Sequence, residues 1–354
     1  MKAESKIKYA VSVALAAVLL YFSFRGISWA DFWEGLRACR WEWILVAMAA
    51  GVISFWFRAL RWRELLLPID PSTRRKVSFN AINIGLLMNL VLPRVGELVR
   101  CGFITRHSAV VQDSASETGK PSRLASYEKV LGTVIMERSV DVMTLLLLVM
   151  LIFFSMRNKI GIFLVDKILR PLSARLDFGW QWMLVLAAAV LLCISAVWLA
   201  GKRRNRGGMV ASLLQLASGV LRGLSSFFRI KRWWLFALYT VLVWTMYWLM
   251  SMAVLLAVQG MDISMLSADF SSAVEKLSGL GASDALFLMI AGSLSSLVPV
   301  PGGFGAFHYI VATALSSVYG VPFGVGIMFA TLSHESQTIT QIVCGVASYL
   351  SELK

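Results

Sequence analysis

The stretch WWLFALYTVLVWTMYWLMSMAVLLAVQGM, residues 233–261, runs for 29 positions without a charged side chain. A helix needs about 20 predominantly apolar residues to cross the hydrocarbon core of a bilayer, so this run predicts a transmembrane helix. Six further uncharged runs of 15 to 24 residues are found at 9–24, 43–57, 77–93, 142–156, 178–201 and 336–351. The sequence therefore predicts an all-α, polytopic membrane protein.

The composition supports this fold class. Of the 354 residues, 58% are apolar and 15% are charged, whereas soluble domains have about 45–50% apolar and about 25% charged residues. We therefore exclude soluble enzymes, nucleic-acid-binding proteins and secreted disulfide-framework proteins. The four cysteines have no CxxC spacing, and we expect them to be free and to behave as small apolar residues.

The distribution of charge predicts the topology. The net charge is +14, and segment 202–232 has eight basic residues and no acidic one. If every apolar run crossed the membrane, this segment would lie outside, against the tendency of Lys and Arg to stay in the cytoplasm. Re-entrant hairpins at 77–105 and 284–319 remove the conflict. They place 25 Lys and Arg residues inside and 9 outside, in a cytoplasmic membrane protein with both termini in the cytoplasm.

The predicted architecture is a single membrane domain, 1–354, with six full spans and the two hairpins. The spans are expected at 9–25, 42–60, 130–156, 178–201, 233–260 and 321–350. Residues 1–156 and 178–354 each contain two spans, a hairpin and a span, with opposite orientations, which is the inverted repeat of many transporters. We also expect a short interfacial helix at 30–41, a flexible inner loop at 107–125 and an amphipathic inner-surface helix at 209–229.

The first charged motif lies in the first hairpin, where PRVGE (93–97) is followed by Arg100. Arg94, Glu97 and Arg100 are three residues apart and share one face if the returning arm is helical. An arginine near the bilayer centre costs about 2.5–3.5 kcal/mol. The motif therefore predicts either acidic partners or an anionic ligand; alternatively, the side chains extend to the inner headgroups.

The second charged motif is ERSVD (137–141), just before an apolar run. Glu137, Arg138 and Asp141 fall on one face of a helix. We expect Glu137 or Asp141 to neutralise Arg94 or Arg100 in an ion-pair network. Structural pairing and a direct role in binding both remain open at this level.

The second hairpin contains PVPGGFGAFH, residues 299–308. Pro301, Gly302 and Gly303 predict a break, because proline ends helices and glycine allows positive φ. A helix that starts near Gly303 would direct free amides at the break. We include these residues and His308 among the predicted substrate-binding groups.

The last predicted helix carries a polar face with His334 and Glu335. Such a face must lie in the protein interior, and a histidine beside a carboxylate can titrate near neutral pH. We predict either proton or ion coupling here or a histidine that only packs. The pair lacks the second histidine of HExxH, and no nucleotide-binding motif is present, so no metal and no cofactor is expected.

The motifs PRVGELVR (93–100), ERSVD (137–141) and VPVPGGFGAFH (298–308) resemble the lysylphosphatidylglycerol synthase transmembrane-region family of flippase-like membrane proteins. The resemblance covers nearly the whole chain. It implies the membrane region associated with flipping a modified lipid. The chain resembles a stand-alone form without the aminoacyl-transferase domain of the full-length synthases, so we do not expect synthase activity. The 107–125 loop resembles a local insertion.

The function predicted from these features is movement of a lipid, or a lipid-linked headgroup, across the cytoplasmic membrane. The partners expected are membrane lipids with anionic headgroups, and no nucleic acid. The alternatives are an integral-membrane enzyme that modifies lipids, although no catalytic motif is evident, and a non-catalytic membrane partner of a lipid-modifying or glycosyl-transferring enzyme.

Overall fold

The structure is a computed structural model that describes residues 3–111, 122–155, 230–262, 264 and 266–353. Within these ranges the chain is helical, apart from one antiparallel pair of two-residue strands, β1 (Val110–Val111) and β2 (Ser122–Arg123). The predicted span at 178–201 and the predicted amphipathic helix at 209–229 lie outside the described residues. The same holds for most of the predicted loop at 107–125.

The described helices follow the predicted order. They are α1 (Ala3–Phe24), α2 (Trp29–Ala38), α3 (Trp41–Leu66), α4 (Arg75–Val91), α5 (Val95–His107), α6 (Tyr127–Ser155), α7 (Trp233–Gln259), α8 (Ala268–Ser278), α9 (Ala282–Leu294), α10 (Ala306–Tyr319) and α11 (Phe323–Leu353). Two 3₁₀ turns, Ser295–Leu297 and Pro301–Gly303, separate α9 from α10.

Two described helices, α3 and α7, are long and apolar enough to cross a membrane unbroken. Two bent pairs qualify if each pair is counted as one span. They are Val11–Phe24 with Trp29–Ala38, bent by 87°, and Phe270–Ser278 with Ala282–Leu297, bent by 109°. The described residues thus contain two to four candidate spans by length and composition, and the count of six stays a prediction.

Helix α3 differs from the predicted span at 42–60, because it continues to Leu66. Its last turns contain Arg58, near the end of the predicted span, and Arg61, just beyond it. Both arginines are buried. The helix continues through Arg61 because the carboxylates of Glu137 and Asp141 on a neighbouring helix pair with its guanidinium group, as described below.

Helices α4 and α5 form the first predicted hairpin as a helix, a break and a returning helix. Pro93 interrupts the chain, and Arg94 has a φ of 63°, in the left-handed region. The arms approach closely because both carry glycine at the contact: a Cβ built on Gly96 would collide with the carbonyl oxygen of Gly85. The Gly96 N–H donates to Asn89 Oδ1 at 2.7 Å, which satisfies one amide at the start of α5.

The second predicted hairpin is also a broken helix. Between α9 and α10, Gly302, Gly303 and Gly305 have φ values of 59°, 82° and 78°. These conformations are readily available only to glycine. Helix α10 ends at Tyr319 and is followed by Gly320, which has a φ of 65°. The broken helices are observed, and their re-entrance into a membrane stays a prediction.

The described helices pack around two main apolar cores. One combines parts of α3, α7, α9, α10 and α11, and the other combines the end of α3 with α4, α5 and the start of α6. Helix α6 also leaves a stripe of apolar side chains exposed, formed by Val142, Met143, Leu146, Leu147, Met150, Leu151 and Phe154. An exposed apolar stripe of this length on a helix is typical of a surface that faces lipid.

Candidate functional site

Charged side chains from α3, α5 and α6 meet beside the second core. We call this group the arginine–carboxylate cluster; it consists of Arg58, Arg61, Glu97, Arg100, Glu137, Arg138 and Asp141. Four guanidinium groups face three carboxylates, so the cluster has one positive charge in excess. Charges that are removed from water need close partners of opposite sign, and the excess makes the site favourable for an anion.

Glu137 is the centre of the cluster. Its Oε1 lies 3.0 Å from Arg61 Nη2, and its Oε2 lies 2.7 Å from Arg100 Nη2. Arg61 also contacts Asp141, which lies one turn after Glu137 on α6. Arg61 Nη1 donates a 2.6 Å hydrogen bond to Asp141 Oδ1. The structure thus pairs Arg100 with Glu137, one of the pairings that the sequence analysis considered.

Arg100 is held between a carboxylate and an aromatic ring. Its guanidinium carbon lies 4.6 Å from the centroid of Trp62, close enough for a cation–π interaction. The Trp62 indole N–H donates to Thr133 Oγ1 at 3.0 Å, which fixes the ring. Although Arg100 is only 3% exposed, its Nε and Nη1 have no hydrogen-bond acceptor among the described residues. Buried donors of this kind are costly unless an acceptor reaches them.

Glu97 and Arg138 form the outer part of the cluster. Arg138 Nη2 donates to Glu97 Oε1 at 2.6 Å, and the Arg138 side chain is 44% exposed. Asp141 lies farther from Arg138, at 3.8 Å. The pair connects α5 to α6 at the edge where the cluster is accessible.

Arg94 lies outside the cluster, at the break between α4 and α5. Its side chain is exposed, and it forms no ion pair with any residue in the described ranges. From the sequence, Arg94 and Arg100 were expected to be equivalent members of one charged face. They differ because Arg100 lies on the buried face of α5, whereas Arg94 precedes the helix and projects from the break.

Arg58 and Arg61, which provide half of the guanidinium groups, were not among the site residues predicted from the sequence. Their spacing of three residues, directly after an uncharged run, was the available signal. A segment rich in arginine at a span end is ordinarily interpreted as cytoplasmic. The extension of the helix and the burial of both side chains were needed to distinguish the two cases.

The two helix breaks lie next to each other. A Cβ built on Gly302 would lie 3.2 Å from Leu90 Cδ2, one turn before the first break. On another side, the second break contacts α1, where Ser23 Oγ donates to the Gly305 carbonyl at 3.3 Å. The tips of the two hairpins therefore meet, and Pro301, Gly302 and Gly303 form one side of the contact.

A second polar group lies behind this break, and we call it the histidine–glutamate cluster. It consists of His308, His334 and Glu335, each of which offers a ligand-type atom within 4.8 Å of the others. His334 Nε2 lies 2.9 Å from the Gly302 carbonyl oxygen, and Nδ1 lies 3.1 Å from Glu335 Oε1. His308 was predicted to bind substrate with Pro301, Gly302 and Gly303, and the structure places it near His334 and Glu335 of α11.

Outside the helices, Asp70 links the α3–α4 turn to the residues that follow α5. Burial alone would raise the pKa of its carboxyl. Hydrogen bonds from Ser108, Ser72 and Ala109 lower the pKa by more than burial raises it, so the pKa lies below the usual value. Ser108 Oγ in turn accepts from the Ala125 N–H at 2.9 Å. This network fixes the position of α5 relative to the start of α6, and hence the cluster.

The comparison with known families agrees with these motifs. The family described as the lysylphosphatidylglycerol synthase TM region matches residues 9–345, nearly the whole chain. The chain belongs to this family. All three motifs of the sequence analysis, 93–100, 137–141 and 298–308, lie inside the match. Neither the curated proteins nor the solved structures contain a significant match.

Membership of the lysylphosphatidylglycerol synthase TM region family, together with the apolar helices, identifies an integral membrane protein. It also indicates a function related to membrane lipids. The arginine–carboxylate cluster and the meeting of the two breaks are the features of this family member on which a more specific function can be based.

Proposed function

We propose that the protein moves lipids with anionic headgroups across the membrane. The observation that carries the proposal is the contact between two helix breaks, Leu90 against Gly302, beside an exposed arginine, Arg94. Transporters commonly bind their substrates where interrupted helices meet. Family membership supports a lipid as the substrate.

Arg94 is the group proposed to receive the headgroup. A guanidinium group forms strong, paired hydrogen bonds to phosphate oxygens. Arg94 is exposed and has no carboxylate partner in the described part of the chain, so a lipid phosphate need not displace a protein group. Its position before the first turn of α5 adds the favourable end of the helix dipole.

Arg100 is the second proposed contact, six residues farther along α5. Its Nε and Nη1, which have no acceptor among the described residues, can donate hydrogen bonds to a phosphate oxygen when the surrounding helices separate. The excess positive charge of the arginine–carboxylate cluster favours the same ligand. Glu97, Glu137, Arg138 and Asp141 then act as positioning residues that hold the guanidinium groups, rather than as direct ligands.

The break at 301–303 is proposed as the opposing gate. Glycines with positive φ define a bend that a change of a few dihedral angles can move, because each has a wide range of accessible conformations. Opening would separate Gly302 from Leu90 and expose the path between the two breaks. Coupling through His334 and Glu335 stays a prediction.

The orientation proposed is that of a cytoplasmic membrane protein with both termini in the cytoplasm. The excess of basic residues in the segments that this topology places inside supports it. These segments would also contact anionic lipids of the inner leaflet.

Reconstitution tests the proposal. The purified chain is inserted into liposomes that contain trace phosphatidylglycerol with a fluorescent headgroup label on both leaflets, and a membrane-impermeant quencher is added outside. In vesicles without transport, about half of the label is protected. We expect quenching to approach completion with the protein. Protection equal to that of empty vesicles, for phosphatidylglycerol and for a panel of other anionic lipids, would contradict the proposal.

A matched pair of variants links the activity to the site. Arg94→Gln removes the exposed charge at the break, and Arg37→Gln removes another exposed arginine, on α2. We expect slower movement only in the first variant.

A further inference from the structure

The histidine–glutamate cluster has an arrangement that suits a bound cation. A carbonyl oxygen has only lone pairs, so the 2.9 Å contact to Gly302 requires that His334 Nε2 carries the proton. In a neutral ring, Nδ1 then presents a lone pair. That lone pair faces the carboxylate oxygen of Glu335 at 3.1 Å. Two acceptors at this distance repel each other unless a second proton on the ring or a metal cation lies between them.

His308 adds a third donor atom to the same place. Its Nε2 lies 3.7 Å from the same oxygen of Glu335, too far for a direct hydrogen bond. Its Nδ1 is buried and has no hydrogen-bond partner among the described residues. His308 itself is only 1% exposed. A buried imidazole of this kind gains little from its present neighbours.

From this geometry we infer that His308, His334 and Glu335 form a binding site for a divalent transition-metal ion, of which Zn²⁺ is the reference case. Two ligands of a tetrahedral zinc ion at about 2.0–2.1 Å are separated by about 3.3 Å. The observed separations of 3.1 and 3.7 Å are close to this value, and all three ligand atoms lie within 4.8 Å. Small side-chain rotations would bring them to one ion.

The surroundings match those of known metal ligands. Histidine ligands commonly donate their second ring N–H to a backbone carbonyl, which fixes the tautomer and orients the ring. The Gly302 carbonyl oxygen is in the position to accept this hydrogen bond from His334. Phe304 and Phe307 pack against the His334 ring, with centroids at 5.0 and 5.2 Å. Imidazole ligands favour zinc, copper, nickel and iron over calcium or magnesium.

Access and stoichiometry follow from burial. The Glu335 side chain is 37% exposed, whereas His308 and His334 are nearly covered, so the ion would enter past the carboxylate. Three protein ligands leave one position open, as in many zinc sites that bind a further ligand. A bound ion would connect α10 to α11 and, through Gly302, stiffen the second break.

The inference was not accessible from sequence spacing. His308 and Glu335 are far apart in the chain and come together only because α10 and α11 pack against each other. The proposal is independent of lipid movement, since metal binding can be measured without any transport.

The test is a zinc titration of the full chain in detergent, purified without a histidine tag and stripped of metal, against a chromophoric chelator. We expect one equivalent of zinc to bind, and His334→Gln and Glu335→Gln to weaken the affinity by at least about 100-fold. The matched control is His107→Gln, because this third histidine pairs with Glu352 at 3.0 Å, outside the cluster. It should bind zinc as the wild type does.

A second measurement does not depend on the folding of the variants. Cobalt added to the wild-type protein should give the visible absorption of a tetrahedral site, and an equivalent of zinc should abolish it. The inference is overturned if the wild type shows neither zinc binding nor the cobalt band, which would leave a shared proton between His334 and Glu335. It is equally overturned if the His334 and Glu335 variants bind zinc as tightly as the wild type.

Discussion

Arg61 and Glu137 form an ion pair in which neither side chain has any exposed surface, with Nη2 and Oε1 3.0 Å apart. The two side chains of such a pair depend on each other, because each would otherwise be an unpaired buried charge. Neutralising one partner leaves the other as a charge away from water, which costs far more than the pair contributes when intact. Arg61 and Glu137 therefore connect α3 to α6 in a way that few other contacts can replace.

The first prediction concerns Glu137. Glu137→Gln leaves Arg61 and Arg100 facing a neutral amide, and we expect a loss of about 3–5 kcal/mol of stability. A thermal melt in detergent measures it as a clear fall in the unfolding midpoint. The control is Glu42→Gln, which breaks an ion pair whose side chains are 54% and 60% exposed. A midpoint for the Glu137 variant equal to that of the control would contradict the prediction.

The second prediction concerns the hairpin contact. Gly96→Ala places a methyl group against the carbonyl oxygen of Gly85, and the arms must separate. We expect a loss of about 1–3 kcal/mol, the usual cost of overpacking. Gly102→Ala is the matched control on α5, because a Cβ there meets nothing within 4 Å. It should be neutral or stabilising by up to about 1 kcal/mol; equal melts for the two variants would refute this interpretation.

The third prediction uses pH. The pKa of Asp70 is lowered in the folded protein by its hydrogen bonds with Ser108, Ser72 and Ala109. A depressed pKa contributes stability above the ordinary carboxyl pKa, and this contribution is lost as pH falls through the folded value. Asp70→Asn replaces one acceptor oxygen by an NH₂ group that faces the donors of Ser108, Ser72 or Ala109. We expect a loss of about 1–3 kcal/mol of folding stability at neutral pH.

The readout for Asp70 is the difference between the wild-type and Asp70→Asn melting midpoints across pH. We expect it to shrink as the pH falls below the ordinary carboxyl pKa of about 3.9 and through the lower pKa of the folded protein, because the wild-type carboxyl becomes protonated. A difference that is constant over this interval would show that the charge of Asp70 contributes nothing.

The fourth prediction separates Arg94 from Arg100. Arg94 is exposed and unpaired within the described ranges, so Arg94→Gln should leave the melting midpoint unchanged. Arg100→Gln should lower it, because Glu137 loses a partner at 2.7 Å and Trp62 loses its cation. Thermal melts of both variants under one condition make the comparison. An equal fall for both would place Arg94 in the structural network.

The helical membrane class was predictable from sequence because uncharged runs of 15 to 29 residues have few other uses. The two breaks were also predictable from local sequence, because Pro93 and the glycines at 302, 303 and 305 restrict or free the backbone dihedral angles wherever they occur. Their mutual contact was not, because Leu90 and Gly302 are distant in the chain.

The candidate site was predictable only in part. The spacing of Glu137 and Asp141 placed both on one face, and the pairing of Glu137 with Arg100 was among those expected. Arg58 and Arg61 were missed, since no local pattern distinguishes an arginine that is buried by ion pairs from one at a cytoplasmic span end. The histidine–glutamate cluster depends on two helices packing, which spacing rules such as HExxH do not capture.

The most direct measurement of lipid selectivity compares two labelled lipids in the same reconstituted vesicles. Anionic phosphatidylglycerol and zwitterionic phosphatidylcholine are followed in the wild type, Arg94→Gln and Arg37→Gln. If Arg94 receives the anionic headgroup, the wild type should move phosphatidylglycerol about tenfold faster than phosphatidylcholine, a ratio that corresponds to a binding difference of about 1.4 kcal/mol. Arg37→Gln should keep this ratio, and Arg94→Gln should reduce it towards one. An unchanged ratio in Arg94→Gln, or no movement of either lipid by the wild type, would contradict the proposed function.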